Sequence, residues 1–599
     1  MKNQSEKRTR STGSVSSICQ NCKKDFTIES EDFNFYERVE VPPPTFCPEC
    51  RIVRRMSFLN DRNFHKRKCG KTGEMCVSLF PQDFKTPVYS PKAWWADDWD
   101  ATEYGQEYDF SKPFFKQFKE LMDRVPQFAM QSQYTTLINS EYTMMGTYNR
   151  NCFMVTNTEY STECVYTTFT SYGNNCLDVY MCHNSELCYQ CINVRRCSRV
   201  VFSMDCEDCF DIAFSKNLRG CNSCFGCFNL HKKSYCFFNE QLSKEEYKNK
   251  LKECDTGSER VVKELLDRFE KESLKYPRKF MEGIKNVNVS GNYLYESKNA
   301  FGCFESTGLE DCKYCQFCFL KPTRDSYDMT QWGGNARFVY DCMGAGDNET
   351  MVKFSIDCWA QGSNIEYSYH IVSPNDDLFG CIGLKHKRYC ILNKQYTKEE
   401  YEKLIPKIKK HMNAMPYIDK KGRVYKYGEF FPSELSFFGY NETLAYSYFP
   451  LSKEEAKEKG FNWTEIKINK YETTKKSSEL PDNIKDVTDS ILDKIIEDEV
   501  NQRPYKIVPQ ELSILRRLNV PLPRKHHNYR HYDRVSMRNP MKLWHRRCMC
   551  NPTSQSFNGR GKTNHFHGKE KCVVEFKTTY APDRPEIIYC EKCYQQEIY

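Results

Sequence analysis

Cys19-x2-Cys22 and Cys47-x2-Cys50, the second pair inside TFCPECR, stand 24 residues apart and read as the two knuckles of one zinc site. Four thiolates at about 2.3 Å close a tetrahedral ion completely, which predicts a structural zinc ribbon rather than a catalytic centre. A second set lies near the other end, at Cys548-x-Cys550 and Cys590-x2-Cys593. Its upstream pair is open to substitution, because Cys572, His565 and His567 are alternative ligands close by in the sequence. Zinc is the one cofactor these patterns imply.

Cationic segments flank both sets. Arg51, Arg54, Arg55, Arg62, Lys66, Arg67 and Lys68 follow the first, interleaved with Phe58, Phe64 and His65. Arg524, Lys525, Arg530 and Arg534 precede the second, among His526, His527, Tyr529 and His531. Charge mixed with flat rings suits phosphates and unstacked bases, so nucleic acid is one expected partner. The plainer expectation is a solvated face, or an arm docked on the chain's own acids, such as residues 97–109. The net charge is +8, and these segments hold so much of the positive charge that the rest of the chain is net acidic.

Other motifs are weaker. Cys221-x2-Cys224-x2-Cys227 and Cys312-x2-Cys315-x2-Cys318 resemble iron–sulphur runs, but His231 and Pro322 occupy the fourth-ligand positions. A strand period of two would also send every third residue to alternating faces, so these sulphurs are expected to pack as small apolar groups. Gly70-Lys71-Thr72 and Gly561-Lys562-Thr563 lack the upstream glycine of a phosphate-binding loop; His65 and Ser556 stand there. Trp94, Trp95 and Trp99, beside Asp97, Asp98 and Asp100, predict an apolar anchor with a carboxylate capping the next helix. A carbohydrate-active enzyme would have to use Glu163, Asp178, Asp205, Asp208 and Asp211 as paired acids in one groove.

These residues need a frame. The chain has 33 cysteines, an odd number, and a polar N-terminus without an apolar segment, which points to reduced thiols in a cytoplasmic protein, or in a virion. No apolar run approaches the about 20 residues that span a bilayer, so no membrane partner is expected. Cys152, Cys164, Cys176 and Cys188 recur every 12 residues, as do Cys197, Cys209 and Cys221. A fixed short period with alternating apolar positions predicts a β-solenoid, and two such units per coil would give about 24 residues per turn. Residues 225–247 match 379–401 at 13 of 23 positions, and each copy leads through Ser243…Glu246 or Thr397…Glu400 into a capped helix.

The expected fold is mixed and β-rich: zinc ribbons at both ends of a duplicated, cysteine-rich β-solenoid with capping helices. Residues 1–18 read as a disordered basic tail, 19–69 as the first ribbon with its basic extension, and 70–138 as an aromatic and acidic region ending in a helix. The two solenoid repeats fall at 139–285 and 286–415, with a third, degenerate repeat at 416–473. A linker, a helix over 491–518 and an extended basic arm fill 474–539, before the second ribbon at 540–599.

Four stretches, CQNCKKDFTIESEDFNFYERVEVPPPTFCPECR, AWWADDWD with YGQEYDFSKPFFKQF, GEFFPSELSFFGYNETLAYSYFPLSKEEAKEKGFNW and TTYAPDRPEIIYCEKCYQQEIY, carry a resemblance. Together they are similar to a cysteine-rich, zinc-ribbon-bearing family of candidate-phylum bacteria and large DNA viruses. The resemblance implies zinc at Cys19, Cys22, Cys47 and Cys50 and at Cys590 and Cys593, and brings no established activity. The functional expectation is a non-enzymatic zinc-binding scaffold that engages nucleic acid through its basic arms, or a protein partner through the solenoid.

Overall fold

A computed structural model describes residues 13–334, 336–345, 349–359, 361–372, 374–465, 472–551, 565–568 and 570–598. The middle is a β-solenoid of about 20 turns over residues 143–391, split into two stacks. In the first stack each residue pairs in parallel with its equivalent twelve positions on: Leu177 with Tyr189, Ile192 with Met204, Val200 with Ile212, Cys224 with Cys236. One coil is therefore 12 residues, not the longer turn expected from pairing two units. In the second stack the step widens from Lys298↔Glu310 to Gln316↔Thr330 before returning at Asp376↔Arg388.

The shorter coil follows from an inward period of three rather than two. Cys152, Val155, Cys164, Cys176, Val179 and Cys182 all line one buried core, with Cys206, Cys209, Cys221, Cys224 and Cys227 further along it. The residue before each inward position takes a left-handed conformation, as at Asn151 (φ 52°), Asn175 (51°), Asp178 (53°) and Asp205 (58°), and turns the chain. Asn and Asp tolerate that conformation best among non-glycine residues, which explains their abundance at these corners. Cys221, Cys224 and Cys227 thus all point inward, where period-two alternation had placed them on opposite faces.

The lumen is filled mainly by small side chains, cysteine and valine above all, with Ile212 and Leu218 among them. Cys209 Sγ lies 3.1 Å from the Glu207 carbonyl and 3.4 Å from that of Leu218; Cys191 Sγ repeats the pattern at 3.2 and 3.1 Å. Serines in equivalent columns do likewise: Ser203 Oγ donates to the Val201 carbonyl (2.8 Å) and accepts the Ser215 N–H (3.0 Å). The lumen cysteines are small, weakly polar filler that also satisfies backbone oxygens.

Each stack is closed by a helix, as the capping boxes predicted. Ser243 Oγ accepts the Glu246 N–H (3.3 Å) and the Glu246 carboxylate accepts the Ser243 N–H (2.9 Å) at the start of Lys244–Lys252. Thr397 and Glu400 do the same for Lys398–Ala414, and Tyr247 and Tyr401 pack inward from the two helices. The expected third repeat contains no coil among its described residues. It keeps the Ser452/Glu455 box and the short helix Lys453–Glu458, preceded by 3-10 turns and the helix Leu444–Tyr448. Within 491–518 only Pro509–Leu518 is α-helical. The arm expected to be extended instead forms the helix His527–Ser536, capped by His526, whose Nδ1 accepts the Asn528 N–H (3.2 Å). Val15–Ile18, placed in the tail by composition, pairs with Asp25–Ile28. Among the described residues no helix is long and apolar enough to cross a membrane.

Candidate metal centres

The hairpin Val15–Ile18/Asp25–Ile28 carries Cys19 and Cys22 at its turn, and Cys47 is the N-cap of the helix Pro48–Met56, which holds Cys50 in its first turn. Pro48 opens that helix, where its missing N–H costs nothing. The four sulphurs lie within 4.8 Å of one another, with Cys22 and Cys47 at 3.7 Å. A tetrahedron with 2.3 Å bonds has edges of about 3.8 Å, whereas a disulfide would bring sulphurs to about 2.0 Å. The Cys47 N–H points at Cys19 Sγ (3.2 Å) and the Asn21 amide at Cys50 Sγ (3.2 Å), both suited to thiolates. Contacts with Cys47 and Cys50 draw the Cys19 thiol down, while Cys19 drives Cys47 up and pushes Cys50 up to about 12. Four sulphurs this close cannot all ionise without a cation among them.

At the other end the structure regroups the expected ligands. Cys548, Cys572, Cys590 and Cys593 gather within 4.8 Å, and Cys550 is displaced into an adjoining group with His565, His567 and again Cys593. A one-residue spacing explains the displacement, since Cys548 and Cys550 flank Met549, whose N–H is tied to the Ile588 carbonyl (2.9 Å). Cys572 and Cys590 stand 3.9 Å apart, and the Cys590 N–H meets Cys548 Sγ at 3.2 Å.

A third ribbon went unread in the sequence. His65–Lys68 pairs with Met75–Ser78 as Val15–Ile18 does with Asp25–Ile28 and Trp544–Arg547 with Glu575–Thr578. The Ser90 N–H meets Cys69 Sγ at 3.3 Å, and the Gly70 N–H meets the Val88 carbonyl at 2.7 Å, matching bonds in both flanking ribbons. Arg67 reaches the Pro81 carbonyl (2.8 Å) as Arg546 reaches that of Ala581 (3.0 Å). Yet Thr72, Ser90 and Ala93 stand where the first ribbon has Cys22, Cys47 and Cys50. Burial opposes ionisation of the remaining Cys69, but N–H donors from Ser90, Thr72 and Lys71 bring its thiol down to about 7. The failed phosphate-loop motif at Gly70-Lys71-Thr72 is this knuckle; its counterpart at Gly561-Lys562-Thr563 lies outside the described residues.

Two of the ribbons also pair with the segments that lead into the stacks. Val88–Tyr89 pairs in parallel with Gln127–Phe128, and Ile588–Tyr589 with Arg278–Lys279, just ahead of the first and second stacks. Each of these ribbon strands thus anchors, in a separate two-stranded sheet, the segment that leads into a stack.

Most of the basic residues point into the protein. Arg51 pairs with Asp328 (2.8 Å); Arg54 with Asp341 and Glu429; Arg55 with Asp328 (3.1 Å) and Asp341 (2.7 Å). All three are at most 2% exposed. Arg530 and Arg534 grip Asp178 of the first stack at 2.5 and 2.9 Å. Arg62 pairs with Asp61 (2.8 Å), and Arg524 donates to the carbonyls of Ser477, Leu480 and Pro481. Lys66 and Lys68 are exposed, and Lys525 pairs at the surface with Asp533 (2.7 Å). Arg54, Arg55 and Arg530 are each buried against two carboxylates, so in this structure they hold elements of the protein together and are not presented to solvent. Asp178, Asp328 and Asp341 among their partners are solenoid corners; none is in residues 97–109, where Asp98, Asp100 and Glu107 pair with Lys71, Lys387 and Lys394.

The five acids weighed for glycoside chemistry occupy left-handed corners on four different edges of the first stack. Asp178 is held by arginines, Asp205 by the Asn193 amide (2.9 Å), Asp208 by Arg196 (2.6 Å), and Glu163 by the Asn151 amide (2.7 Å). Asp211 faces Arg199 at 3.6 Å, so no groove with a free acid pair forms from this set. Trp94 is buried against Phe128, and Asp100 caps the turn at Ala101–Tyr104, as expected of an anchor. No family model and no curated protein matches the chain.

Proposed function

We propose that this protein is a zinc-stapled structural scaffold whose outer solenoid faces dock a protein partner. The observation that carries the reading is the inward turn of the arginines: cations beside the ribbons lock helices onto the stacks and are withdrawn from solvent. Closed sets of four thiols support it, because they leave no coordination position for a substrate, and all-thiolate tetrahedra favour zinc over harder ions. A surface ladder supports it too. Tyr148, Tyr160 and Tyr172 stack at 4.8 and 5.0 Å and remain 53%, 45% and 55% exposed. On the same footing we propose membership of the zinc-ribbon family that the four stretches resemble.

Binding to random-sequence DNA and RNA, followed by anisotropy across salt concentrations, tests the reading against nucleic-acid engagement. Lys66, Lys68 and Lys525 alone would give a log–log salt slope no steeper than about −2.7. Weak binding with such a slope is expected. Tight binding with a slope of about −6 or steeper would show a cationic face well beyond these three lysines meeting phosphate, and would overturn the scaffold reading.

A further inference from the structure

We propose that the C-terminal ribbon holds two zinc ions bridged by the Cys593 thiolate. This rests on reading the ribbons as zinc sites and adds a second ion to one of them. Cys548, Cys572, Cys590 and Cys593 form one four-donor set; Cys550, His565, His567 and Cys593 form another. They share Cys593 alone, which is fully buried.

The histidines carry the argument. His567 Nδ1 sits 2.6 Å from the Glu570 carbonyl, an acceptor only, so that nitrogen bears the hydrogen and Nε2 keeps its lone pair. That lone pair faces Cys593 Sγ at 3.3 Å. His565 Nε2 sits 3.2 Å from the buried Glu597 carboxylate, which leaves the Nδ1 lone pair facing Cys550 Sγ at 3.3 Å. Without a metal each lone pair can only accept a thiol S–H; what suits a cation is that both lone pairs and both sulphurs converge within 4.8 Å of one another. A carboxylate or carbonyl on the far nitrogen of each imidazole is also how proteins orient histidine ligands to a metal. Electrostatics point the same way. One divalent ion on four thiolates leaves a buried dianion, and a second ion arriving with the Cys550 thiolate halves that charge.

Metal content by native mass spectrometry of the full chain tests this. The intact protein is expected to carry three zinc ions, and His565→Ala/His567→Ala to lose one of them while keeping the other two. Because a variant can misfold, the unmodified chain is also exchanged with cadmium-113, where two resonances split by mutual coupling through the shared sulphur are expected. Two ions in the intact chain, unchanged in the double variant, or cadmium resonances without mutual coupling, would overturn the bridge and leave the ribbon reading standing. No bound metal at all would instead overturn the ribbon reading itself.

Discussion

Replacing Arg55 by alanine should loosen the helix Pro48–Met56 without touching any thiol. Its guanidinium is fully buried, pairs with Asp328 at 3.1 Å and Asp341 at 2.7 Å, and donates to Thr330 Oγ1 (3.0 Å) and Gln316 Oε1 (3.2 Å). Removing one partner of a buried pair costs about 3–5 kcal/mol, because the other charge stays buried without compensation. Here Asp328 keeps Arg51 and Asp341 keeps Arg54, so the loss should sit at the lower bound, about 3 kcal/mol or roughly 100-fold in the opening equilibrium. Hydrogen exchange of the amides in Pro48–Met56 reads that opening locally. Adding Asp341→Asn to Arg55→Ala should recover part of the loss, since it removes a buried carboxylate left with one cation in place of two, while Arg54 keeps Glu429. An Arg55→Ala protein with unchanged exchange but weakened binding to random DNA would refute the clamp and restore the nucleic-acid arm.

Cys209→Ser should cost only about 1 kcal/mol, since serine already serves equivalent lumen columns at Ser203 and Ser215, whereas Cys209→Leu overpacks a closed coil and should cost about 1–3 kcal/mol or more. Cys47→Ser should release the metal of the first ribbon and unfold residues 15–56, seen as loss of protection there with the solenoid intact; greater damage from Cys209→Ser would reverse this ranking. Acid should undock the helix His527–Ser536. Burial lowers both His531 and His526, the latter to about 3, so below about pH 6.5 the unfolded chain takes up protons that the folded one refuses. Stability is therefore full above that pH and falls by about 1.4 kcal/mol per pH unit per histidine as pH drops toward the lowered values. Protection of residues 527–536, corrected for the intrinsic exchange rate at each pH, should fall accordingly between pH 7, 6 and 5, and constant protection would contradict it.

The ribbon at Cys19–Cys50 and the periodic core were legible because both are local: ligand spacing and a 12-residue recurrence lie along the chain. The coil length was not, because alternation seen over eight residues does not separate a period of two from a period of three, and the decisive left-handed corners are a backbone property. The arginines misled for a different reason. A run of charge reports valence, while the partners that turn it inward lie far off, with Asp328 and Asp341 some 270 residues or more from Arg51 and Arg55. The middle ribbon was hidden because Thr72, Ser90 and Ala93 erase its ligand pattern while its backbone bonds persist. The place of Cys550 stayed open in the sequence because nearness to Cys548 along the chain says nothing of convergence in space, which sets Cys550 beside His565, His567 and Cys593.

Zinc K-edge absorption of the purified, reduced protein tests the central claim most directly. The account predicts bound zinc with a first shell dominated by sulphur near 2.3 Å and a minor nitrogen share from the imidazoles. A metal-free folded protein, or a shell made of oxygen, would contradict it.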